Sequence, residues 1–416
     1  MARGKGFGFW TLTFLVVANM IGAGVFTTSG FTLASLGDPK LVLLAWLVGG
    51  LVALCGAFSY GLLIQRIPLS GGEYVFLSKA VHPFAGFVAG WVSLLAGFSG
   101  AIAFAAVALE SYLPGNLPEK LPAVGVIILG ATLHGAKRWL GAGVQNTAVI
   151  LKLLLLALFL GWGAFAIEWG VQPSRPVASD SGMLAFAQAL VWISLSYSGF
   201  NAAVYVAGEA TAPRIVARSL VAGTGVVVLL YLLLNATFVL GAPASEISGQ
   251  PDVAARAAKW IGGTGFETFT RLIISLALVT SVLSMMMAGP RVYGKMAEDG
   301  IIPRIFILRE DQVWPAVLLQ MSLALLLVFV GSLQDLLGYL GLTLSLSAAV
   351  AVGSLFLGER VRGWPSLPPA LFVIATLGAA TLLIVRDPSQ ALATGVTVLL
   401  GAAAYYLANS APSRED

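Results

Sequence analysis

The apolar stretch from Phe7 to Leu36 is long enough to cross a lipid bilayer, because a membrane helix needs about 20 apolar residues. Its centre, however, carries Asn19, Gly22 and Gly24, where leucine or valine would hold a helix together better. Glycine costs about 1 kcal/mol relative to alanine inside a helix, and a freed backbone group in lipid must be satisfied. The stretch therefore predicts a broken span that lines a site, with close helix packing at the glycines as the alternative.

Apolar segments of this kind recur along the whole chain. Of its 416 residues, 58% are hydrophobic and 10% are charged, and the mean hydropathy is +0.92, a composition typical of membrane proteins. We predict an all-α integral membrane protein of twelve transmembrane helices, without a soluble domain. The predicted spans are 8–36, 40–65, 83–112, 122–136, 143–167, 183–210, 217–241, 264–289, 314–332, 336–357, 366–385 and 389–409. In the longest loop, Val253–Trp260 is amphipathic, and we expect it to form a short surface helix.

Basic residues are distributed unequally between the two sets of loops. With the amino terminus inside, 15 of the 23 lysines and arginines fall on the cytoplasmic side and 7 on the outer side, and Lys152 is left within a span. The positive-inside rule then predicts a multi-pass protein of the cell membrane with both termini in the cytoplasm. The excess of basic over acidic residues reflects loops that face an anionic leaflet of the lipid bilayer, and no nucleic-acid partner is expected.

Span six contains a second interruption, at residues 192–201. Its serines alternate instead of forming a helical stripe, and Gly199 precedes Asn201. Breaks in spans one and six are expected of a five-plus-five inverted repeat in which both breaks meet at mid-membrane, whereas a serine-rich packing face is the alternative. The predicted parts are a first repeat at 1–167, a second repeat at 183–357 and two additional helices at 366–409.

The ends of the half-helices determine what such a site can bind. The half-helices that begin at Gly24 and near Phe200 would point free N–H groups inward. The half-helices that end just before each break would point free carbonyls inward. Helix amino termini attract anions and carboxy termini attract cations, so a zwitterion fits both, and we predict an α-amino acid as the small-molecule substrate. The predicted substrate-binding residues are Asn19, Met20, Ile21, Gly22, Ala23, Gly24, Leu195, Ser196, Tyr197, Gly199, Phe200 and Asn201.

Several motifs resemble those of the amino acid–polyamine–organocation (APC) transporter superfamily. Residues 19–26 (NMIGAGVF) are similar to its G-[SA]-G-[IV]-F signature, residues 68–74 (PLSGGEY) to its P-x-[ST]-G-G-x-Y loop, and residues 291–303 to its motif after helix eight. Residues 197–201 are similar to a run in the L-type transporter light chains, so the chain looks most like the L-type and proton-coupled branch. The resemblance implies a LeuT-like fold and amino-acid transport by alternating access, as proton-coupled symport or amino-acid exchange.

Lys152 lies well inside span five, too far from either end to reach water easily. An intramembrane charge costs about 3 kcal/mol or more, and burial disfavours the charged form, so this lysine is a candidate for proton coupling. It also resembles the helix-five lysine that occupies the place of a sodium site in sodium-independent relatives, which argues against sodium coupling. We expect it to contact carbonyls near Gly22 and the hydroxyls of Ser281 and Ser284; a lysine in a water-filled crevice is the alternative.

Some positions depart from the family pattern. Ala23 replaces a serine that is often present, so carboxylate binding would rest on backbone N–H groups. Leu195 stands where the light chains have a gating aromatic residue, which leaves Phe200, Tyr197 or Trp192 to close the site, with a looser gate as the alternative. Because neither broken region contains Asp or Glu, a neutral substrate side chain is expected, with cationic amino acids or polyamines as the alternative.

The remaining expectations concern partners and chemistry. The light chains join a single-pass heavy chain through a cysteine in the loop after helix three, but residues 113–121 contain none, so no disulfide-linked heavy chain is expected. Glu73 and Glu209 are expected to pair with arginine or lysine near the inner gate. No nucleotide-binding, metal or hydrolase motif is present, so we expect neither an enzyme nor a cofactor or metal.

Overall fold

The computed structural model describes residues 6–115, 117–136, 142–166, 182–300, 302–308, 313–357 and 361–410, and within these ranges the chain is helical with no β-strand. The α-helices are α1 (Phe9–Met20), α2 (Gly24–Leu36), α3 (Pro39–Arg66), α4 (Gly72–Ala80), α5 (Pro83–Val92), α6 (Ala101–Tyr112), α7 (Leu121–Ala136), α8 (Ala142–Ala166), α9 (Met183–Tyr197), α10 (Pro213–Leu240), α11 (Ala244–Ile247), α12 (Val253–Glu298), α13 (Trp314–Val330), α14 (Leu333–Gly353), α15 (Leu367–Arg386) and α16 (Pro388–Ser410). A π-helical stretch, Ser93–Gly100, joins α5 to α6, and a 3₁₀-helix, Ala202–Glu209, follows α9.

Most of the predicted spans are present as long apolar helices. Among the described residues, eight helical segments are each long and apolar enough to cross a membrane. Two of these segments are composite: Pro83–Tyr112 joins α5, the π-helical stretch and α6, and Met183–Glu209 joins α9 and the 3₁₀-helix. α1 with α2, which meet at a 45° bend, form a ninth. At predicted spans four, five and nine the apolar helices are shorter: Leu121–Gly135, Lys152–Phe165 and Trp314–Val330. The all-helical membrane architecture is therefore confirmed, whereas the count of twelve and the inverted repeat stay predictions.

The turn between α2 and α3 shows how the local sequence ends one helix and starts the next. Gly37 adopts a left-handed φ of 70°, and its N–H donates to the carbonyl of Leu33, which ends α2. Asp38 then caps α3 by accepting a hydrogen bond from the N–H of Lys40 at 2.7 Å, and Pro39 occupies the first helical turn. The Gly-Asp-Pro sequence therefore reverses the chain between the first two spans.

Small residues let α1, α3 and α10 pack closely. An added Cβ at Gly50 of α3 would lie 2.8 Å from Val228 of α10, and one at Gly223 of α10 would lie 2.8 Å from Val16 of α1. Lipid provides no hydrophobic driving force between helices, so close van der Waals contact of this kind holds them together. The first half of span one is thereby held against α10, which in turn packs on α3.

Val253–Trp260 does not form the surface helix expected from the sequence. It is the first part of α12, which departs from helical geometry at Gly262 and Gly263. The prediction was wrong because apolar side chains occupy more than one side of this helix, so it packs into the protein. The fully buried ones are Val253, Ala254, Ala255, Ala257 and Ala258. The preceding loop also folds over α2, where the N–H of Gly249 donates to the carbonyl of Gly30 at 2.8 Å.

We expect Gly30→Ala to displace this loop from α2, because the added Cβ would lie 2.0 Å from the carbonyl oxygen of Gln250. Overpacking at such a contact costs about 1–3 kcal/mol, so the variant should unfold at a lower temperature in detergent than the wild type. Gly125→Ala on α7 is the matched control, since nothing lies within 4 Å of its added Cβ. An unchanged unfolding temperature in Gly30→Ala would show that the loop does not pack this closely on α2.

Candidate functional site

The first span is broken between α1 and α2. The last helical residue is Met20, Ile21 takes an extended ψ of 91°, and the helix restarts at Gly24. Among the described hydrogen bonds, none is donated by the N–H groups of Ala23, Gly24 or Val25. The predicted break is therefore present, and the start of α2 offers free N–H donors.

Two carbonyl groups at the end of α1, which the sequence predicted to be free for a ligand, are occupied by side chains. Tyr231 on α10 donates from its hydroxyl to the carbonyl of Met20 at 2.6 Å, and the Lys152 ammonium on α8 donates to the carbonyl of Ile21. A carbonyl at membrane depth needs such a partner, because water does not reach it. The carbonyl of Asn19 accepts none of the described hydrogen bonds, so it remains available at the break.

Lys152 is buried, with 6% of its surface exposed, and its ammonium reaches the carbonyl next to Gly22. The two serines that were expected to contact it are not among its described hydrogen-bond partners. Ser281 donates to the carbonyl of Ala277 in its own helix at 2.9 Å, which is the usual way for a helical serine to satisfy its hydroxyl. None of the described hydrogen bonds joins Lys152 to Ser281 or Ser284. The structure therefore brings Lys152 to the first break without these two serines.

The second break lies between α9 and the 3₁₀-helix. α9 ends at Tyr197, just beyond the predicted end at Leu195–Ser196, and the N–H of Ser198 still bonds the carbonyl of Leu195 at 3.0 Å. Gly199 then takes a φ of +100°, which glycine adopts without the strain that a side chain would bring. The interruption is therefore a non-helical turn at residues 198–201 and not a serine-rich packing face.

The two breaks face each other. An added Cβ at Gly24 would lie 2.5 Å from the Oγ of Ser196, and one at Gly199 would lie 3.0 Å from the carbonyl oxygen of Asn19. The hydroxyl groups of Thr28 and Ser196 also lie 3.0 Å apart across the same contact. The free N–H groups of α2 and the free carbonyl at the end of α1 therefore lie at one junction between two spans, which is closed in this structure.

The aromatic side chains near the breaks occupy different places. Tyr197 donates to the carbonyl of Trp46 at 3.1 Å, and its ring centroid lies 5.2 Å from that of Tyr231, so it is held by α3 and α10. Phe200 packs edge-on against a tyrosine of α3 at 5.3 Å. Trp192 lies edge-on to a phenylalanine of α2 at 6.4 Å. Of the three gating candidates, Trp192 stands beside the second half of span one.

The two asparagine side chains of the breaks bond partners outside the junction. Asn19 donates to the carbonyl of Leu15 in its own helix at 2.9 Å, and Asn201 donates to the carboxylate of Glu73 at 2.6 Å. The expectation that Glu73 pairs with arginine or lysine was wrong: Glu73 is buried, and its described hydrogen bonds come from uncharged donors. Sequence reasoning missed the contact because 128 residues separate Glu73 from Asn201. Glu209 is exposed.

Two interrupted spans that meet at one junction are the arrangement of a secondary transporter's substrate site. In the part of the chain that the structure describes, no group of three or more His, Cys, Asp or Glu side chains could hold a metal ion. From residue 7 to residue 405 the sequence matches the amino acid permease family. The chain belongs to this family, as its motifs predicted.

The relatives found are amino-acid transporters and exchangers. The chain is similar to the serine/threonine exchanger SteT of Bacillus subtilis (strain 168), with 25% identity over 94% of this chain and 92% of the relative. It is also similar to the cystine/glutamate transporter of Homo sapiens, with 25% identity over 94% of this chain and 83% of the relative. With the large neutral amino acids transporter small subunit 2 of Homo sapiens, it shares 24% identity over 94% of this chain and 78% of the relative. Amino-acid transport is the general function that the family supports.

Tyr231→Phe removes the hydroxyl that donates to the carbonyl of Met20 and keeps the aromatic ring. A buried carbonyl left without a partner costs about 1–3 kcal/mol, so we expect a lower unfolding temperature and a weaker apparent affinity for the transported amino acid. Tyr405→Phe on α16 makes the same chemical change in another part of the fold and should behave as the wild type. Wild-type values in Tyr231→Phe would rule out a role for its hydroxyl at the break.

Proposed function

We propose that the protein is a secondary active transporter of neutral L-α-amino acids that works by alternating access. The observation that carries the proposal is the junction of the two breaks, where free N–H groups stand next to a free carbonyl. The substrate carboxylate would bind the N–H groups of Ala23, Gly24 and Val25, at the positive end of the α2 dipole. The substrate ammonium would donate to the carbonyl of Asn19. These two contacts fit an α-amino acid and leave its side chain to lie against the second break.

The charges around the junction favour a neutral side chain. Residues 19–24 and 195–201 contain no Asp or Glu, and desolvating a cation without a counter-charge is unfavourable. Glu73 does reach Asn201, but its oxygens already accept three hydrogen bonds. The second candidate function is transport of cationic amino acids or polyamines, and this carboxylate beside the second break is the observation that favours it.

We propose that Lys152 takes the place that a cation would hold at the first break. Its ammonium satisfies the carbonyl of Ile21, so a sodium ion is not needed there, and transport would be independent of sodium. Because an intramembrane charge is costly, loss of the Lys152 proton in one conformation would free α1 from α8 and couple a proton to transport. Proton-coupled symport and amino-acid exchange both fit this arrangement; exchange is the activity that the name of the Bacillus subtilis relative states.

For the whole chain we propose twelve spans in a LeuT-like arrangement, with residues 1–167 and 183–357 as inverted repeats and both termini in the cytoplasm. The contact between breaks in spans one and six supports the repeat. The excess of basic residues, 15 against 7, supports the orientation in the cell membrane. The single cysteine, Cys55, lies in α3, so the proposal includes no disulfide-linked heavy chain.

Uptake into proteoliposomes tests the substrate class. Vesicles are preloaded with each proteinogenic L-amino acid in turn, or with putrescine, and uptake of the same labelled compound is measured without sodium, with and without an inward proton gradient. We expect uptake of a narrow set of neutral amino acids. Uptake confined to arginine, lysine or putrescine would favour the second candidate, and no uptake of any of them would overturn both. Dependence on the proton gradient would distinguish symport from exchange.

Lys152→Ala separates coupling from binding. The carbonyl of Ile21 loses a charged donor, worth about 1.5–3 kcal/mol, so we expect net transport to slow by about tenfold or more. Substrate binding, measured as thermal stabilisation by the added amino acid, should persist. Lys259→Ala removes a positive charge at an exposed position and should transport as the wild type. Wild-type transport and gradient dependence in Lys152→Ala would exclude the coupling role.

A further inference from the structure

A chain of buried hydrogen bonds joins the second half of span one to spans two and seven. The indole N–H of Trp46 on α3 donates to the Oγ of Ser29 on α2 at 2.8 Å. The Ser29 hydroxyl donates in turn to the Oδ1 of Asn235 on α10. All three side chains are fully buried. Polar side chains are costly at membrane depth, and a buried network whose members satisfy one another makes the helices that it joins rigid.

Asn235 lies one turn after Tyr231 on α10. Its Nδ2 donates to the carbonyl of Tyr231 at 2.8 Å, which leaves Oδ1 to face Ser29. The hydroxyl of Tyr231 donates to the carbonyl of Met20, the last residue of α1. Two consecutive turns of α10 therefore bond the two halves of span one: Tyr231 bonds the half before the break, and Asn235 bonds the half after it.

α10 runs beside span one along its length and past the break. Ser219, near the start of α10, donates to the carbonyl of Phe9, the first residue of α1, at 3.1 Å. α10 is one continuous helix, whereas span one is interrupted and bends by 45° between α1 and α2. A continuous helix that is bonded to both halves of a broken one fixes the angle between them.

The orientation of α2 matters because its first turn carries the free N–H groups. A hydrogen bond weakens steeply when the N–H does not point at its acceptor. Ser29 lies five residues after Gly24, which is about 1.4 turns of the helix, so the bond to Asn235 holds α2 close to these groups. A rotation of α2 about its axis or a change in its tilt would re-aim the N–H groups of Ala23, Gly24 and Val25.

Other side chains also bond α2, but they do not fix the angle at the break. Tyr112 on α6 donates to the carbonyl of Phe26 at 2.6 Å, and the hydroxyls of Thr28 and Ser196 lie 3.0 Å apart. In the described hydrogen bonds, the side chains of α6 and α9 reach α2 and not α1. The Ser196 contact also lies at the junction itself, which has to open for a substrate. Asn235 is on a helix that bonds both halves, and its bond to α2 lies away from the second break.

We propose that Asn235 is a positioning residue for the substrate carboxylate. It acts through Ser29, by holding α2 so that the N–H groups of its first turn point into the junction. Trp46 supports this bond, because its N–H occupies a lone pair of the Ser29 oxygen and directs the hydroxyl hydrogen to Asn235. The inference rests on the proposed function, in which these N–H groups bind the carboxylate of an amino acid.

The test compares an amino acid with its α-carboxamide. The amide keeps the ammonium group and the side chain, but its neutral carbonyl gains less than a carboxylate from the N–H groups and from the positive end of α2. The probes are the neutral L-amino acid that is taken up best in the proteoliposome series and its α-carboxamide, each used to inhibit uptake of the labelled amino acid. The measurement is made at about pH 6, where the amine of the amide is also protonated. The ratio of the two inhibition constants is the acid-over-amide preference.

Asn235→Leu removes the acceptor of the Ser29 hydroxyl and keeps the number of side-chain heavy atoms and their branching. The Ser29 hydroxyl can then donate to a carbonyl of its own helix, as helical serines commonly do, so the variant leaves this group satisfied. Thr224→Val on the same helix is the matched control. It removes a fully buried hydroxyl that donates to the carbonyl of Leu220, within α10, at 2.7 Å.

We expect the acid-over-amide preference of the wild type to be about tenfold or more, and Asn235→Leu to reduce it by about tenfold, which corresponds to about 1.4 kcal/mol. Thr224→Val should keep the preference of the wild type. A merely structural role of Asn235 would change the inhibition constants of both compounds together. An unchanged preference in Asn235→Leu would therefore overturn the proposal.

Ser29→Ala tests the same bond from its other end, and it replaces Asn235→Leu if that variant does not fold. It should reduce the acid-over-amide preference to the same extent. The double variant Asn235→Leu/Ser29→Ala should reduce it no further, because both changes remove one interaction. Reductions that multiply in the double variant, or an unchanged preference in Ser29→Ala, would overturn the proposal.

The wild type separates this inference from the proposed function. Uptake of neutral amino acids with an acid-over-amide preference that neither variant changes would uphold the function and overturn the role of Asn235. If the wild type takes up no amino acid, the proposed function is overturned, and the role of Asn235 fails with it.

Discussion

The fold depends on satisfying the backbone groups that two broken helices release at membrane depth. Water cannot serve these groups in the hydrocarbon core, so protein side chains or a ligand must do so. Tyr231 and Lys152 satisfy two carbonyls at the end of α1, whereas the N–H groups at the start of α2 remain without a described partner. The same break therefore contains a part that the protein satisfies by itself and a part that is open to a ligand. This division is what makes the junction a candidate substrate site.

Two helices beside the junction each hold one of the breaks. α10 supplies Tyr231 to the first break, and its ring also packs on Tyr197 at the end of α9. α4 supplies Glu73, which reaches Asn201 in the second break. Because the contacts at the breaks include hydrogen bonds, each of which contributes only about 0.5–1.5 kcal/mol net, they can be exchanged for other contacts at modest cost. A closed junction of this kind is compatible with a protein that alternates between conformations.

The break in span one was predictable because Gly22 and Gly24 are poor helix residues inside an apolar stretch, and the helix restarts at Gly24 as that argument implies. The second break was also located, but α9 continues to Tyr197, since helix ends vary with the local hydrogen bonds. Val253–Trp260 was misjudged because its apolar side chains occupy more than one side of the helix, so that it packs into the protein. Glu73 was misjudged for a related reason: its partners lie in other helices, and charge alone suggested an ion pair.

Composition, the length of the apolar segments and the glycines at the breaks determined that this chain is a helical membrane protein with an interrupted span at a site. These properties depend on residues that are close together in the sequence, so they can be recognised without the tertiary structure. Tertiary structure alone decided that the breaks meet, that Tyr231 and Lys152 take two of the carbonyls, and that Glu73 reaches Asn201. Each of these contacts joins residues more than a hundred positions apart. Packing between helices determines them, and hydrophobic periodicity along the chain does not report which helix faces which.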